Sequence, residues 1–306
     1  MLYDTSIPLP LAVWLLHDEY DYDKSDKHFS ATQLLQPTRS LVLASRLPEP
    51  EEIDLHNLIA PKIGNAIHDS IEAAWNDIDA RQKALKFLGY PEKMYKTLDV
   101  HIEERNYRSI DDYLISGKFD LVINGNLFDF KSTSVWAWIN GDKDIDYQKQ
   151  GSIYKWLNPR LITSDTITIC FIFTDWNKKD AAYQPNYPKT KIKQKEIPLL
   201  SMGQTETLIH RKLSEIDKNW NLEQDQMIKC TNTELWRSGP VYKYYASGDT
   251  TKRATKTFNT AHEASSYKIQ NKNKGTIMIV PGEPKRCKYC LAAPICQQRK
   301  EMTGED

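Results

Sequence analysis

The 306-residue chain has no excess charge of either sign, because Lys+Arg and Asp+Glu both number 41. Nucleic-acid binders are commonly basic overall, so a partner of that kind would have to be met by local charge. A membrane-spanning run is also missing. The apolar stretch from Ile7 to Leu16 follows Asp4 rather than basic residues and contains two prolines. It is too short to cross a bilayer and lacks the leader pattern of a secreted protein, so a cytoplasmic protein without membrane contact is expected. Cysteine is scarce. Five thiols in a reducing compartment build no disulfide framework, and their spacing is to be read as packing, metal binding or catalysis. The 40% hydrophobic content suffices for one large core, or a core with a small appendage.

The most informative segment runs from Lys118 to Lys131, KFDLVINGNLFDFK. Asn124-Gly125 is a strong signal for a two-residue hairpin turn, since both central positions need φ > 0. With that turn Ile123 pairs with Asn126, and the register sets Asp120 opposite Asp129 and Lys118 opposite Lys131. One face then carries those four charges and the other Phe119, Leu121, Ile123, Phe128 and Phe130, an apolar surface for a core. On this reading the charged face is exposed and buries little apolar area. Two facing carboxylates repel unless a cation sits between them, and a divalent metal is the natural candidate.

Upstream, residues 63–75 read as a helix beginning or kinking at Pro61, with Ile63, Ile67, Ile71 and Trp75 as an apolar row. Gly64, His68 and Glu72 form the adjacent row, where Gly64 leaves room for another segment to approach. Downstream, Gln150 and Tyr154 share one face of a helix starting near Ile145. Between hairpin and helix, Ser132 to Trp138 is polar and aromatic, suited to phosphates and bases, although Trp136 and Trp138 suit a core equally.

These motifs, in this order, resemble the RecB-like branch of the PD-(D/E)XK nucleases: G-x-x-x-H at Gly64 and His68, an acid at Asp120, D-x-K at Asp129-Phe130-Lys131, and Q-x-x-x-Y at Gln150 and Tyr154. The resemblance covers roughly residues 28 to 300. It implies a restriction-endonuclease-like core and a metal-dependent DNA nuclease. His68, Asp120, Asp129 and the Phe130 carbonyl would hold Mg²⁺ or Mn²⁺, Lys131 would act on the attacking water, and Gln150 and Tyr154 would hold the lysine and the scissile strand. RecB-like enzymes often carry a Glu on the preceding strand, here Glu103 or Glu104, which strand phase leaves open.

The rest of the chain reads as α/β. Ser30 with Gln33 is a capping box opening a helix through Leu34, Leu41 and Leu43, which Pro37 is expected to break. Helices are expected near 79–88 and 202–222. Strands are expected near 98–105, 115–123, 127–132 and 166–174, the last a continuous apolar run suited to a central position. This order gives a mixed central sheet flanked by helices. Lys189, Lys191, Lys193 and Lys195 alternate along a further strand. Lys252, Arg253 and Lys256, then Lys268, Lys272 and Lys274, form two more basic groups, which would supply phosphate contacts if they lined a groove.

Cys287, Cys290 and Cys296 place three thiols within ten residues, a spacing that can chelate one centre. The C-x2-C-x5-C pattern resembles the C-terminal end of RecB-like nucleases of the CRISPR-adaptation and AddB types, whose fourth cysteine lies far upstream and completes a four-iron four-sulfur cluster. Here the corresponding stretch, Leu34 to Arg39, has no cysteine. Cys230, in a polar loop ahead of the module, is the expected fourth ligand, as in phage-type relatives, and Cys170, inside an apolar strand, is expected to behave as a small hydrophobe. An iron-sulfur cluster is expected, with Zn²⁺ as the alternative. Between Cys230 and the triplet lie an expected hairpin at Gly248-Asp249, a helix opened by Thr260 with Glu263, and a strand over 276–280. Residues 1–225 are expected to form the nuclease core and 226–306 a cysteine-cluster module packed on it. The function implied is an exonuclease acting from DNA ends in recombination or repair, with a recombination or helicase protein as partner. The alternatives are a catalytically silent DNA-binding scaffold of the same fold, and a structure- or sequence-specific endonuclease.

Overall fold

The structure, a computed structural model, describes residues 7–17, 27–47 and 54–304. Its first elements are α1 (Leu9–Leu16), β1 (His28–Ser30), α2 (Ala31–Leu34), α3 (Thr38–Ala44), α4 (Ile59–Asn76), α5 (Ile78–Phe87), β2 (Val100–Ile102), β3 (Arg105–Ile110), β4 (Tyr113–Lys118) and β5 (Leu121–Ile123). Next come β6 (Asn126–Thr133), α6 (Val135–Asn140), α7 (Asp144–Leu157), β7 (Thr166–Phe173), α8 (Lys178–Tyr183), β8 (Ile192–Pro198) and α9 (Met202–Trp220). The last are β9 (Val241–Tyr245), β10 (Lys256–Phe258), α10 (Ala261–Gln270), β11 (Thr276–Val280) and α11 (Gln297–Thr303). They make a mixed α/β fold with one five-stranded sheet, β2-β5-β6-β7-β8, and two three-stranded sheets, β1-β4-β3 and β10-β9-β11. By compactness the chain divides into two units, Met1–Gln36 with Glu49–Leu213, and Pro37–Pro48 with Ser214–Asp306. Among the described residues no helix is long and apolar enough to cross a membrane.

In the first unit the Asn124-Gly125 hairpin forms as the sequence predicts. Both residues adopt positive φ, 47° and 78°, and Ile123 pairs with Asn126 and Leu121 with Phe128. A side chain at Gly125 would also collide with Thr163, whose Oγ1 lies 2.1 Å from the Cβ position. The strand expected over 98–105 shrinks to β2, with β3 opening at Arg105 and running on to Ile110, and that expected over 115–123 divides into β4 and β5. The pairing register is nonetheless the same on both sides of the gap: Ile102 faces Leu121 and Arg105 faces Lys118. One antiparallel ladder therefore opens at Glu103-Glu104 opposite Phe119-Asp120, and its halves join different sheets. Glu103 takes φ 50° at the break, and its N–H still donates to the Asp120 carbonyl at 3.0 Å. The opening comes from the backbone turning at Glu103, a left-handed conformation uncommon outside glycine.

The hairpin is covered on both faces, which corrects the expectation of an exposed charged face. α4 lies over the side carrying Phe130 and Ser132: the His68 and Phe130 rings meet edge to face at 6.2 Å, and a Cβ on Gly64 would stand 3.4 Å from Ser132 Oγ. α7 covers the opposite side, where Tyr147 packs on Phe171. Asp129 is fully buried as a result. α7 approaches closely at Gly151, where a Cβ would meet Ile167 and Leu199 at 2.9 Å. Ile153, Trp156, Ile167, Ile169, Phe171 and Phe173 form the core there, each large side chain contributing roughly 1.5–3 kcal/mol of transfer free energy. The α4 apolar row is only half covered, with Ile63 43% exposed. Pro61 sits in the first turn of α4, where its missing N–H has no intrahelical partner to lose.

α2, opened by the Ser30–Gln33 capping box, ends at Leu34 in the first unit, and Pro37 N-caps α3 at the start of the second, so the break expected at Pro37 is present. β9, β10 and β11 form an antiparallel sheet with α10 against it, the Tyr244 and Tyr267 rings 5.2 Å apart. α10 begins at Thr260, whose side chain accepts from Glu263 N, and β11 spans the predicted residues.

Candidate active site

The break in the ladder holds the candidate metal ligands. Ligand atoms of His68, Glu103 and Asp120 all lie within 4.8 Å of one another, the one such group of three or more His, Cys, Asp or Glu among the described residues. Each comes from a different element: α4 supplies His68, the turn between β2 and β3 supplies Glu103, and the residue before β5 supplies Asp120. His68 Nδ1 is 3.5 Å from Asp120 Oδ2, and the same oxygen accepts from Phe130 N at 2.7 Å. Lys118 Nζ pairs with Glu103 at 2.6 Å, not with the Lys131 side of the hairpin. Ile71, Glu72, Trp75, Ile102 and Phe130 complete the walls of this cleft. Glu104 turns away to His101, Oε1 to Nδ1 2.8 Å, so Glu103 is the glutamate that faces the site.

Asp129 and Lys131 stand behind this group on the α7 side of β6. Lys131 Nζ lies 2.5 Å from Asp129 Oδ2, and apart from that ion pair neither carboxylate oxygen has a hydrogen-bond partner. Gln150 Nε2 donates to the Tyr154 hydroxyl at 2.8 Å, and Tyr147, one turn earlier on α7, brings its ring within 5.8 Å of Lys131 Nζ. Helical spacing from Tyr154 back to Tyr147 is the signal that would have added this residue to the sequence-derived set. Of the two tryptophans left open, Trp138 packs on Phe171 and Phe173, whereas Trp136 is 54% exposed.

The electrostatics follow from burial. Loss of solvent, then the neighbouring Asp129, pushes the Asp120 carboxyl well above its usual range, against the opposing pull of Lys131. Burial disfavours the Lys131 ammonium, but Asp129 and Asp120 outweigh it and hold the group more basic than usual. Burial pushes the Tyr147 phenol up to about 12 and carries Tyr154 well above its ordinary value, with Asp129 adding to both. Both phenols therefore stay protonated and can donate hydrogen bonds, and Lys131 stays cationic. Glu103 and Asp120 face one cleft with Asp129 buried behind them, and their mutual repulsion is relieved by Lys118 at Glu103, by Lys131 at Asp129, and at Asp120 by a proton or a bound cation. Carboxylate oxygens with one imidazole fit a hard divalent ion such as Mg²⁺ or Mn²⁺.

Two of the four lysines in the 189–195 row are engaged. Lys195 pairs with Asp144 and Lys189 Nζ donates to the Ala181 carbonyl. In the second unit Cys230, Cys287, Cys290 and Cys296 line one cavity of about 30 Å³, together with Arg39 and Ser40 from α3. Ser40 Oγ is 3.2 Å from Cys290 Sγ. Burial, then Glu234, pushes the Cys230 thiol up to about 12, and burial with the neighbouring Cys290 raises Cys287. Four thiols gathered around one cavity offer the ligand set of a thiolate metal centre, whose ion would supply the charge that Cys230 and Cys287 need to ionise. Cys170 lies in β7, half-buried, its thiol raised to about 11 by burial.

No known family profile and no curated protein matches the sequence. Among solved structures, that of SSO0001 aligns with a TM-score of 0.40 at 19% identity, over 63% of this chain and 78% of that one. That of a phage related exonuclease from Haemophilus somnus 129PT aligns with a TM-score of 0.27 at 14% identity, over 60% of this chain and 92% of its own.

Proposed function

We propose that this chain is a metal-dependent DNA nuclease of the RecB-like PD-(D/E)XK class, acting as an exonuclease from DNA ends in recombination or repair. The observation that carries the reading is the convergence of His68, Glu103 and Asp120 at a break in the ladder, with Asp129 and Lys131 directly behind. His68, Glu103 and Asp120 would hold Mg²⁺ or Mn²⁺, with Asp129 and the Phe130 carbonyl completing the set. The bound ion supplies Lewis acidity, activating a water and neutralising charge on the phosphate. Lys131, held cationic by Asp129 and Asp120, stabilises the negative charge that develops on the phosphoryl oxygens, a role that suits it better than that of a general base. Gln150 fixes the Tyr154 hydroxyl, and the neutral phenols of Tyr147 and Tyr154 keep the lysine in place.

Cys230, Cys287, Cys290 and Cys296 would hold an iron-sulfur cluster. The C-x2-C-x5-C spacing of Cys287, Cys290 and Cys296 supports the cluster, and metal analysis with a visible absorption spectrum separates it from zinc: iron with a brown colour is expected, and about one zinc in a colourless protein overturns it.

The test is incubation with end-labelled linear duplex, single strand and closed circle, each with Mg²⁺, Mn²⁺ or EDTA. Degradation of linear substrates only, abolished by EDTA, is the expected result. Cutting of the circle makes the chain an endonuclease, and cleavage that survives EDTA, or none at all, removes the reading.

A further inference from the structure

The small sheet of the second unit carries a charge that the active site does not use. Residues 241–280 hold seven Lys or Arg against two Asp or Glu, in a chain whose net charge is zero. Topology gathers most of these cations at one end. β9 ends at Tyr245, which pairs with Thr276 at the start of β11, and Tyr244 pairs with Lys256 at the start of β10. The β9–β10 loop with Lys252 and Arg253, the first residue of β10, Lys256, and the α10–β11 turn with Lys272 and Lys274 therefore meet at the same edge. All five are exposed.

The edge is built to hold them. Lys272 and Asn273 both adopt left-handed backbone, φ 57° and 59°, each costing about 1 kcal/mol or more. That turn is pinned by Asn273 N to the Lys268 carbonyl at 2.9 Å, Asn271 Nδ2 to the Tyr267 carbonyl at 2.8 Å, and the Tyr244 hydroxyl to the Lys274 carbonyl at 3.0 Å. Lys256 Nζ sits over the Tyr267 ring at 4.6 Å and the Phe258 ring at 5.3 Å. Of the five, Lys252 has a carboxylate partner, Asp249 at 3.4 Å. The bland alternative, cations answering the C-terminal dipole of α10, accounts for Lys272 at most. It leaves Lys274, and Lys252, Arg253 and Lys256, which come from a different segment.

We infer that this edge binds the phosphate backbone of DNA, adding a second set of contacts to those made at the catalytic residues. The inference rests on the nuclease reading above. Cations on fixed turns, with little competing acid, match a polyanion of regular spacing and not a compact acidic ligand, and the contacts carry no sequence information.

The probe is a fluorescein-labelled 30-base-pair duplex, with Ca²⁺ replacing the catalytic ion, titrated against the intact protein across a salt series. The compared variant carries Lys252→Gln, Arg253→Gln, Lys256→Gln, Lys272→Gln and Lys274→Gln. At roughly 0.9 per phosphate contact, its log-log salt slope should fall by about 2–4, with a weakening of tenfold or more at moderate salt. Its kcat on a saturating short single strand should match wild type. Should that variant misfold, the exposed-loop pair Lys252→Gln/Arg253→Gln alone should lower the slope by about 1–2. An unchanged slope in a folded variant of an active enzyme overturns the inference and leaves the nuclease reading standing. A wild-type protein that neither cleaves nor binds duplex overturns both.

Discussion

Asp129 shows how one residue's surroundings change the meaning of a motif. Its carboxylate is fully buried with Lys131 as its single ionic partner, so truncation strands an ammonium that is itself only 25% exposed. Asp129→Ala should therefore cost stability, toward the lower end of the roughly 3–5 kcal/mol typical of breaking a buried pair. Asp129→Asn and Lys131→Met should fold and lose at least a hundredfold in kcat, and denaturant melts alongside turnover would show it. Near-wild-type turnover in either would remove this pair from the chemistry. Asp120 adds a pH dependence. Its folded pKa is raised, so the folded state binds the proton more tightly than the unfolded chain. Metal-free stability then falls as pH rises above the ordinary carboxylate value of about 3.9 toward the folded value. A divalent ion takes the proton's place, so Mn²⁺ should raise Tm more at pH 8 than at pH 5. An equal or smaller rise at pH 8 would contradict this.

At the scale of elements, local signals were legible and the ladder break was not. Asn124-Gly125 fixed the hairpin register, the capping residues Ser30 and Thr260 marked two helices, and Pro37 marked a break. These are choices made within a few residues. The opening at Glu103 is not: no glycine or proline punctuates Ile102-Glu103-Glu104-Arg105, and the break is visible only once the two halves of the ladder join different sheets. That is also why strand phase alone could not choose between Glu103 and Glu104. The burial of the charged hairpin face was likewise hidden, because it depends on α7 arriving from later in the chain. The hairpin itself is testable. Gly125→Ala meets both a positive φ and the Thr163 side chain, so a loss of about 1–3 kcal/mol is expected, with part of it recovered in Gly125→Ala/Thr163→Ala. An unchanged melting curve would show that the turn relaxes freely.

At the scale of the whole molecule, two sets of ligands are proposed to do different work: carboxylates and an imidazole for chemistry in the first unit, and thiols for cohesion in the second. A thiolate centre contributes binding energy only when its ligands are assembled. Cys230→Ser should therefore lose bound metal and increase amide exchange over the second unit while the first stays protected, and Cys170→Ser should change neither. Equal metal content in wild type and Cys230→Ser would remove Cys230 from the site. The central claim is that Glu103, with His68 and Asp120, forms the catalytic metal site, and Mn²⁺ titration followed by electron paramagnetic resonance tests it most directly. Glu103→Gln should bind Mn²⁺ at least tenfold more weakly than wild type, while Glu104→Gln, whose parent carboxylate faces His101, should match wild type. Wild-type affinity in Glu103→Gln, or an equal loss in both variants, would contradict the site.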